Sequence, residues 1–226
     1  MSDAPPLIVF DLDGTLISTA EDLVGALNTA MATQNLPPLP LAKAKDMIGA
    51  GAEALIHRGL QAENITPDRD LVATMLSDFL QHYEANIDAH SVPFPQVLEE
   101  IDALRSEGWR AAICTNKSER LARLLIDKLG LTDRFSALVG GDSLDVRKPD
   151  GRHILETVAR AGGTPERSVM VGDSRPDIDA AKDAGIPVIA VDFGYTLEPV
   201  TEMSPDVVLS DFSMLAETAK RLVGAR

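Results

Sequence analysis

The sequence predicts an α/β protein with a Rossmann-like parallel sheet core and an inserted α-helical domain. Residues 7–10 (Leu-Ile-Val-Phe) are apolar without polar alternation, which is typical of a strand covered on both faces. From residue 93 onward helix and strand patterns alternate, as in a parallel sheet, whereas residues 18–92 carry helical patterns only. We therefore predict a discontinuous core domain, residues 1–17 and 93–226, interrupted by residues 18–92, called the cap below.

The cap is predicted to contain four helices. The first begins after Thr19, whose side chain is expected to cap it, and it ends before Pro37, because proline interrupts helices. The other helical patterns cover residues 41–47, 52–60 and 67–88. A helical body that enters the chain directly behind the first strand could act as a lid that excludes water and selects substrates.

The core elements alternate along the rest of the chain. Predicted strands cover residues 7–10, 109–114, 137–139, 168–171, 187–191 and 206–209. Predicted helices cover residues 96–107, 118–129 (with Ser118 as its cap), 150–161 and 178–184, and another helix follows the last strand. The carboxyl ends of parallel strands meet at one edge of a sheet, so polar residues that follow different strands can converge there.

Composition excludes several classes of partner. The formal net charge of −14 argues against a nucleic acid or an anionic membrane, because both are bound through clustered lysine and arginine. The single cysteine, Cys114, excludes an internal disulfide and fits a reducing compartment. The sequence contains neither a signal-peptide pattern nor an apolar run of transmembrane length. We expect a soluble cytoplasmic protein, a monomer or homodimer, whose partner is a small molecule.

Two carboxylates follow the first strand. Asp11 and Asp13 stand two positions apart, and Gly14 allows a tight turn behind them. In an open α/β sheet these residues lie at the floor of the ligand crevice. Two carboxylates so close together repel each other and usually require a cation, a shared proton or a lysine. The sequence therefore predicts positive charge at the same place.

Other polar residues lie where they can join this pair. They follow two further strands or lie in a loop: Thr115, Asn116, Lys148, Asp173 and Asp177. Three carboxylates with main-chain oxygens make a hard, oxygen-only site that suits Mg²⁺. Phosphoryl transfer needs a nucleophile, charge neutralisation, donors for the phosphoryl oxygens and a proton donor, and aspartate can be that nucleophile. The set predicts a magnesium-dependent site for a phosphate ester.

Four motifs resemble, in order and spacing, those of the haloacid dehalogenase superfamily. They are Asp11-Leu12-Asp13-Gly14-Thr15-Leu16, Thr115-Asn116, Lys148-Pro149 and Gly172-Asp173-Ser174-Arg175-Pro176-Asp177. Within the superfamily the chain is most similar to phosphoglycolate phosphatases, and the similarity includes Ile48-Gly49-Ala50-Gly51-Ala52-Glu53-Ala54-Leu55 in the cap and Phe193-Gly194-Tyr195 in the core. The resemblance implies a hydrolase that converts 2-phosphoglycolate to glycolate and phosphate through an aspartyl-phosphate.

The resemblance also implies roles in catalysis. Asp11 would be the nucleophile, and Asp13 the general acid for the leaving oxygen and then the base for water. Thr115 and Asn116 would hold phosphoryl oxygens, and Lys148 would bridge the phosphoryl group and Asp11.

The implied Mg²⁺ site uses residues of the first and last motifs. The Asp11 carboxylate, the Asp13 main-chain carbonyl and the Asp173 carboxylate would be the ligands, and Asp177 would orient a metal-bound water from outside them. In the cap, the loop Gly49-Ala50-Gly51 is a candidate substrate loop, since glycine lets backbone amides approach an anion closely.

Two alternatives remain open at this point. The first is a phosphatase or mutase that acts on a sugar phosphate with the same nucleophile, because the cap residues that choose the substrate are not readable from one sequence. The second is a non-catalytic or signalling module that accepts phosphate on Asp11. Rapid turnover of phosphate esters would exclude the second alternative.

Overall fold

The computed structural model describes residues 4–196 and 198–224. The strands are β1 (Leu7–Phe10), β2 (Ile17–Ser18), β3 (Val92–Pro93), β4 (Arg110–Cys114), β5 (Ala137–Val139), β6 (Ser168–Gly172), β7 (Val188–Val191) and β8 (Val207–Leu209). The helices are α1 (Ala20–Thr33), α2 (Leu41–Ala44), α3 (Ala52–Ala62), α4 (Arg69–Ala85), α5 (Val97–Ser106), α6 (Glu119–Lys128), α7 (Gly151–Arg160), α8 (Arg175–Asp183) and α9 (Leu215–Gly224).

The core sheet is parallel, as the sequence predicts. Its strand order is β5-β4-β1-β6-β7-β8, and each neighbouring pair is parallel. The chain proceeds from β1 outward through β4 and β5, then returns to the other side of β1 at β6. This reversal of direction at β1 creates the crevice where ligands bind in open α/β sheets.

The central strand β1 is covered on both faces. All four of its side chains are fully buried at 0% exposure. Ile8 and Phe10 belong to one apolar cluster, and Leu7 and Val9 belong to another on the opposite face. Because strand side chains alternate between faces, the unbroken apolar run of the sequence reflects helices on both sides of the sheet.

The cap segment is helical, with one difference from the prediction at its ends. Helices α1 to α4 lie within it, and α1 packs against α4. Ile17 and Ser18 pair antiparallel with Pro93 and Val92. This short ladder joins the two segments through which the chain enters and leaves the cap. Two residues are too few to produce a detectable alternation, so this ladder could not be predicted from the sequence. The domain boundaries themselves stay a prediction.

Two predicted helix caps are wrong. The Thr19 hydroxyl donates to Oδ1 of Asp13 at 2.7 Å instead of capping α1. Ser118 precedes α6 without a capping bond, and Oδ1 of Asp142 accepts the Glu119 amide at 2.7 Å. A suitable residue stands before each helix, but tertiary packing offers the hydroxyl or the amide another partner.

Helix α8 begins at Arg175 rather than at Ile178. Ser174 and Asp177 form a capping box, in which the Asp177 carboxylate accepts the main-chain amide of Ser174 at 3.1 Å. Asp177 therefore lies in the first turn of α8, directly beyond the carboxyl end of β6. Within the described ranges, no helix has the length and apolar composition needed to cross a membrane.

Candidate active site

Lys148 lies at the centre of the acidic residues predicted from the sequence. Its ammonium donates to Oδ1 of Asp11 at 2.7 Å, to the Cys114 carbonyl at 2.7 Å and to Oδ1 of Asp177 at 2.6 Å. An ammonium has three N–H groups, so each of them has a partner. Lys148 thereby joins the ends of β1 and β4 to the first turn of α8.

Burial controls the charge of this group. It raises the pKa of Asp11 to about 7, and although Lys148 opposes the rise, Asp177 adds to it. Burial alone would lower the pKa of Lys148, but Asp11 and Asp177 reverse the effect and hold it above its usual value. The lysine therefore stays protonated, and it does not fully neutralise the carboxylates around it.

Asp173 is the second strongly perturbed carboxyl. Burial raises its pKa to about 8, and the neighbouring carboxylates Asp177 and Asp11 add to the rise. Its Oδ1 accepts the Thr15 hydroxyl and its Oδ2 accepts the Tyr195 amide, both at 2.7 Å. These two bonds orient the carboxylate but do not supply the positive charge that its ionised form requires.

The donor set fits a divalent cation. Asp11, Asp173 and Asp177 each offer a carboxylate oxygen, and these oxygens lie within 4.8 Å of one another. The backbone makes room for the cluster, because a Cβ built at Gly14 or Gly194 would lie 2.7 or 2.4 Å from Oδ2 of Asp173. Hard oxygen ligands with excess negative charge are typical of Mg²⁺ or Ca²⁺ sites.

Asp177 has other partners in this cluster. Its Oδ1 accepts Lys148, and its Oδ2 accepts the amide and hydroxyl of Ser174 at 3.1 and 2.6 Å. Both of its oxygens thus accept hydrogen bonds, and its role in orienting a metal-bound water stays a prediction. The direct contact between Asp177 and Lys148 was not foreseen from the sequence.

Asp13 faces a partner that the sequence reasoning missed. Lys117 donates from Nζ to Oδ1 and Oδ2 of Asp13 at 2.9 and 3.0 Å, and its side chain is 6% exposed. The Thr19 hydroxyl also donates to Oδ1. Lys117 directly follows Thr115-Asn116, so its position next to a motif was the available signal. The positive charge predicted near the two carboxylates is thus supplied by two lysines.

Thr115 and Asn116 lie at the end of β4, beside these groups. The Thr115 hydroxyl is buried and accepts the Lys117 amide at 3.2 Å. The Asn116 side-chain nitrogen donates to the Lys148 carbonyl at 3.1 Å and, at 3.5 Å, to the Gly49 carbonyl of the cap. Its Oδ1 is buried and has no partner in the described part of the chain. Asn116 therefore links the core motifs to the predicted substrate loop, and its binding of phosphoryl oxygens stays a prediction.

A cavity of about 540 Å³ lies between core and cap. Asp11, Asp13, Thr115 and Asn116 line its core side, and its cap side includes the loop from Gly49 to Gly51. Gly49 and Gly51 have positive φ angles of 110° and 92°, which favour glycine. The structure thus brings the candidate substrate loop to the same space as the candidate catalytic residues.

Tyr195 connects the acidic cluster to the cap. Its hydroxyl accepts the amides of Thr19 and Ala20 at 2.8 and 3.0 Å, and its own amide donates to Asp173. The tyrosine therefore takes the place of the side-chain cap predicted at Thr19. Nothing in the local sequence indicates that a residue after β7 satisfies the start of α1.

His153 contacts the main chain of the loop that carries Lys148. Its Nδ1 lies 3.2 Å from the Lys148 amide and its Nε2 lies 3.0 Å from the Gly140 carbonyl. Burial and the nearby Lys148 charge lower its pKa to about 4, so the ring is neutral at physiological pH. The neutral ring accepts at Nδ1 and donates at Nε2, which fixes the main chain of the lysine loop.

Comparison with known proteins gives one consistent result. A family model described as haloacid dehalogenase-like hydrolase matches residues 8–191. A phosphoglycolate phosphatase from Agrobacterium fabrum is 46% identical over 211 residues, 93% of this chain and 90% of that protein. One from Mesorhizobium japonicum is 47% identical over 221 residues, 97% of both chains.

A solved structure agrees with these relatives. It is described as a predicted phosphoglycolate phosphatase from Haemophilus somnus, and it superposes with a TM-score of 0.88 at 30% identity. The match covers 95% of this chain and 97% of that chain, so it includes the cap as well as the sheet.

Proposed function

The chain belongs to the haloacid dehalogenase-like hydrolase family, and from this premise we propose that it is a phosphatase that hydrolyses 2-phosphoglycolate to glycolate and phosphate. The observation that carries the proposal is the extent of the similarity. The two phosphoglycolate phosphatases above match more than nine-tenths of this chain, cap included, at 46% and 47% identity. Since residues of the cap form most of the cavity lining, similarity that includes the cap bears on the substrate and not only on the chemistry.

In the proposed reaction, an Asp11 carboxylate oxygen attacks phosphorus while the bond from phosphorus to the ester oxygen breaks. Asp13, in its protonated form, gives its proton to the departing glycolate oxygen. Water then attacks the aspartyl-phosphate, loses a proton to Asp13, and releases phosphate with the Asp11 carboxylate restored. Asp11 and Asp13 both line the same cavity, which supports this order of reaction steps.

Lys148 would hold Asp11 in the geometry for attack. Its bonds to Asp11, Asp177 and the Cys114 carbonyl fix the nucleophile from behind. Because all three donors are in use, contact between Lys148 and a phosphoryl oxygen requires the exchange of one of these acceptors. The predicted bridging role therefore depends on the carboxylates gaining another cation.

We propose Mg²⁺ as that cation. The carboxylates of Asp11 and Asp173 and the main-chain carbonyl of Asp13 would hold it, with Asp177 positioned beside them. When bound, the metal offsets the negative charge of the phosphoryl oxygens and of the nucleophile. The raised pKa values of Asp11 and Asp173, which result first from burial and then from the neighbouring carboxylates, support the proposal.

This charge predicts how stability depends on pH. A carboxyl whose pKa is higher in the folded than in the unfolded state stabilises the fold in its protonated form, and that contribution is lost as pH rises through the folded pKa. With metal chelated, each of these two carboxyls should therefore lower the free energy of unfolding by about 1.4 kcal/mol per pH unit from about pH 4 up to its folded pKa, so that the fall ends near pH 8. At lower pH, His153 acts in the opposite direction because its pKa is lowered.

Urea unfolding at several pH values, with chelator and with saturating Mg²⁺, measures this effect. We expect Mg²⁺ to stabilise the protein more at pH 8 than at lower pH, because ionisation of the two carboxyls increases over this range. Asp173→Asn should weaken both the fall and the response to Mg²⁺, whereas the matched change Asp145→Asn, at an exposed position, should alter neither. A stability that rises over this pH range in chelator would contradict the assignment of the acidic cluster.

The proposed function is tested by phosphate release from a panel of small esters. The panel contains 2-phosphoglycolate, a hexose phosphate and p-nitrophenyl phosphate, each with Mg²⁺ and with chelator. Metal-dependent release that is fastest per unit concentration with 2-phosphoglycolate would support the proposal. Preference for the hexose phosphate would favour the alternative of a sugar phosphatase or mutase. A stable aspartyl-phosphate without turnover would favour a signalling module.

The remaining expectations extend the same proposal. We propose a cytoplasmic location, supported by a single buried cysteine that has no second cysteine for a disulfide. We propose that the partner is the small phosphate ester alone, without nucleic acid or membrane, which the net charge of −14 supports. The protein would act as a monomer or a homodimer.

A further inference from the structure

We propose that Lys117 and Tyr83 together form a subsite for a carboxylate carried by the leaving group, and that this pair selects phosphate esters of short hydroxy acids. The inference rests on the proposed function and adds the residues that recognise the released half of the substrate. Lys117 lies in the core after the Thr115-Asn116 motif, and Tyr83 lies on α4 of the cap. The subsite would therefore join core and cap.

Lys117 is a buried cation in contact with Asp13. Its two hydrogen bonds to the Asp13 carboxylate leave one N–H of the ammonium, which the Tyr83 oxygen or a ligand oxygen can accept. Lys117 and Asp13 both line the cavity, so the ammonium lies next to the candidate proton donor.

Tyr83 supplies a second hydrogen-bond donor. It is 1% exposed, lines the cavity, and has its ring centroid 4.6 Å from Nζ of Lys117. Its hydroxyl oxygen lies near the Lys117 ammonium, yet the hydroxyl makes no hydrogen bond of normal geometry within residues 4–196 and 198–224. A buried hydroxyl without an acceptor is costly. A ligand oxygen in the cavity would satisfy it.

The position of Asp13 determines where a carboxylate would lie. In the proposed reaction Asp13 contacts the leaving oxygen, and in a phosphorylated 2-hydroxy acid one carbon separates that oxygen from the carboxylate. The carboxylate is therefore near the group that touches Asp13, which is Lys117. Lys148 is less suitable for this task, because its three donors already have partners.

The rest of this part of the cavity strengthens the preference for an anion. The lining of the cavity includes the apolar side chains of Leu23, Leu76, Phe79, Leu80 and Leu121. In such surroundings a charge-assisted hydrogen bond is stronger than in water, and a neutral group gives less compensation to the ammonium. We expect the pair to favour a carboxylate over a hydroxyl by about 10-fold to 100-fold.

The experiment compares 2-phosphoglycolate with 2-hydroxyethyl phosphate, an ester of similar size whose leaving group has a hydroxyl in place of the carboxylate. The readout is the ratio of their kcat/KM values, because loss of Asp13 positioning lowers both rates and leaves the ratio unchanged. In the unmodified protein the ratio should exceed 10. Lys117→Met and Tyr83→Phe should each reduce the ratio at least several-fold, and most of the Tyr83→Phe effect should appear in KM.

Two controls complete the set. Lys128→Met removes an exposed lysine at the end of α6 and should leave the ratio unchanged. Arg147→Met tests the exposed arginine that also lines the cavity. Thermal unfolding of each variant identifies those that fail to fold, and Tyr83→Phe removes one oxygen only, so it is the variant of choice if Lys117→Met is unstable.

The outcomes separate this inference from the proposed function. A high ratio in the unmodified protein that survives in both Lys117→Met and Tyr83→Phe would overturn the inference and leave the proposed function intact. The same conclusion follows if only Arg147→Met abolishes the ratio. A ratio near one in the unmodified protein would overturn both.

Discussion

Asp11→Asn is expected to lower kcat by about four orders of magnitude or more on every phosphate ester that the protein hydrolyses. The amide of asparagine is a poor nucleophile, and none of the neighbouring groups replaces it. Lys148 already binds Asp177 and the Cys114 carbonyl, and Asp173 is held by Thr15 and Tyr195. The loss should therefore appear in kcat and not in the ability to bind substrate.

The same change should not destabilise the fold. The pKa of Asp11 is raised to about 7 because its ionised form is unfavourable in this buried site. A neutral amide of the same shape avoids that cost, so at pH 8 in chelator Asp11→Asn should be at least as stable as the unmodified protein. This combination distinguishes loss of the nucleophile from loss of structure.

The unmodified protein and Asp11→Asn are purified in parallel. Phosphate release then measures the loss of turnover, and urea unfolding measures the stability of the fold. The exposed change Asp145→Asn is the matched control and should retain full activity. Activity in Asp11→Asn that stays near the normal level, and that has the same metal dependence and substrate preference, would show that another group is the nucleophile.

Lys148→Met should damage both activity and stability. The side chain is 2% exposed, and its removal leaves the buried carboxylates Asp11 and Asp177 without their shared cation. Removing one partner of a buried ion pair typically costs about 3–5 kcal/mol. The Cys114 carbonyl also loses a buried donor. We expect a destabilisation of that size at pH 8 in chelator, with severe loss of turnover.

The pH and metal dependence of Lys148→Met tests this explanation. At pH 5.5 protonation of Asp11 relieves part of the uncompensated charge, so the destabilisation should be smaller than at pH 8. Mg²⁺ should restore part of the stability, though not the activity, because the nucleophile remains poorly held. Lys128→Met, at an exposed position, should behave as the unmodified protein. Equal destabilisation at both pH values would mean that packing, not charge, is what Lys148 contributes.

Local patterns in the sequence determined the sheet and the backbone of the site. The apolar run of β1 reports burial on both faces, because side chains on a strand alternate and both sets must then avoid water. Parallel strands share one carboxyl edge, so Asp11, Asp13 and Asp173 could be expected to meet without knowledge of the contacts. These carboxylates converge because the strands are parallel, and the parallel sheet was predicted from the alternation of helix and strand patterns along the chain.

The tertiary structure alone decided which partner each of these groups has. Lys117 reaches Asp13 across 104 residues of sequence, and the Tyr195 hydroxyl reaches the amide of Thr19 across 176. The Thr19 hydroxyl was free to cap its own helix but donates to Oδ1 of Asp13, which the packed structure brings within 2.7 Å. Side chains choose among partners by distance and charge after the helices and the cap have packed, and those distances are not encoded in any local pattern.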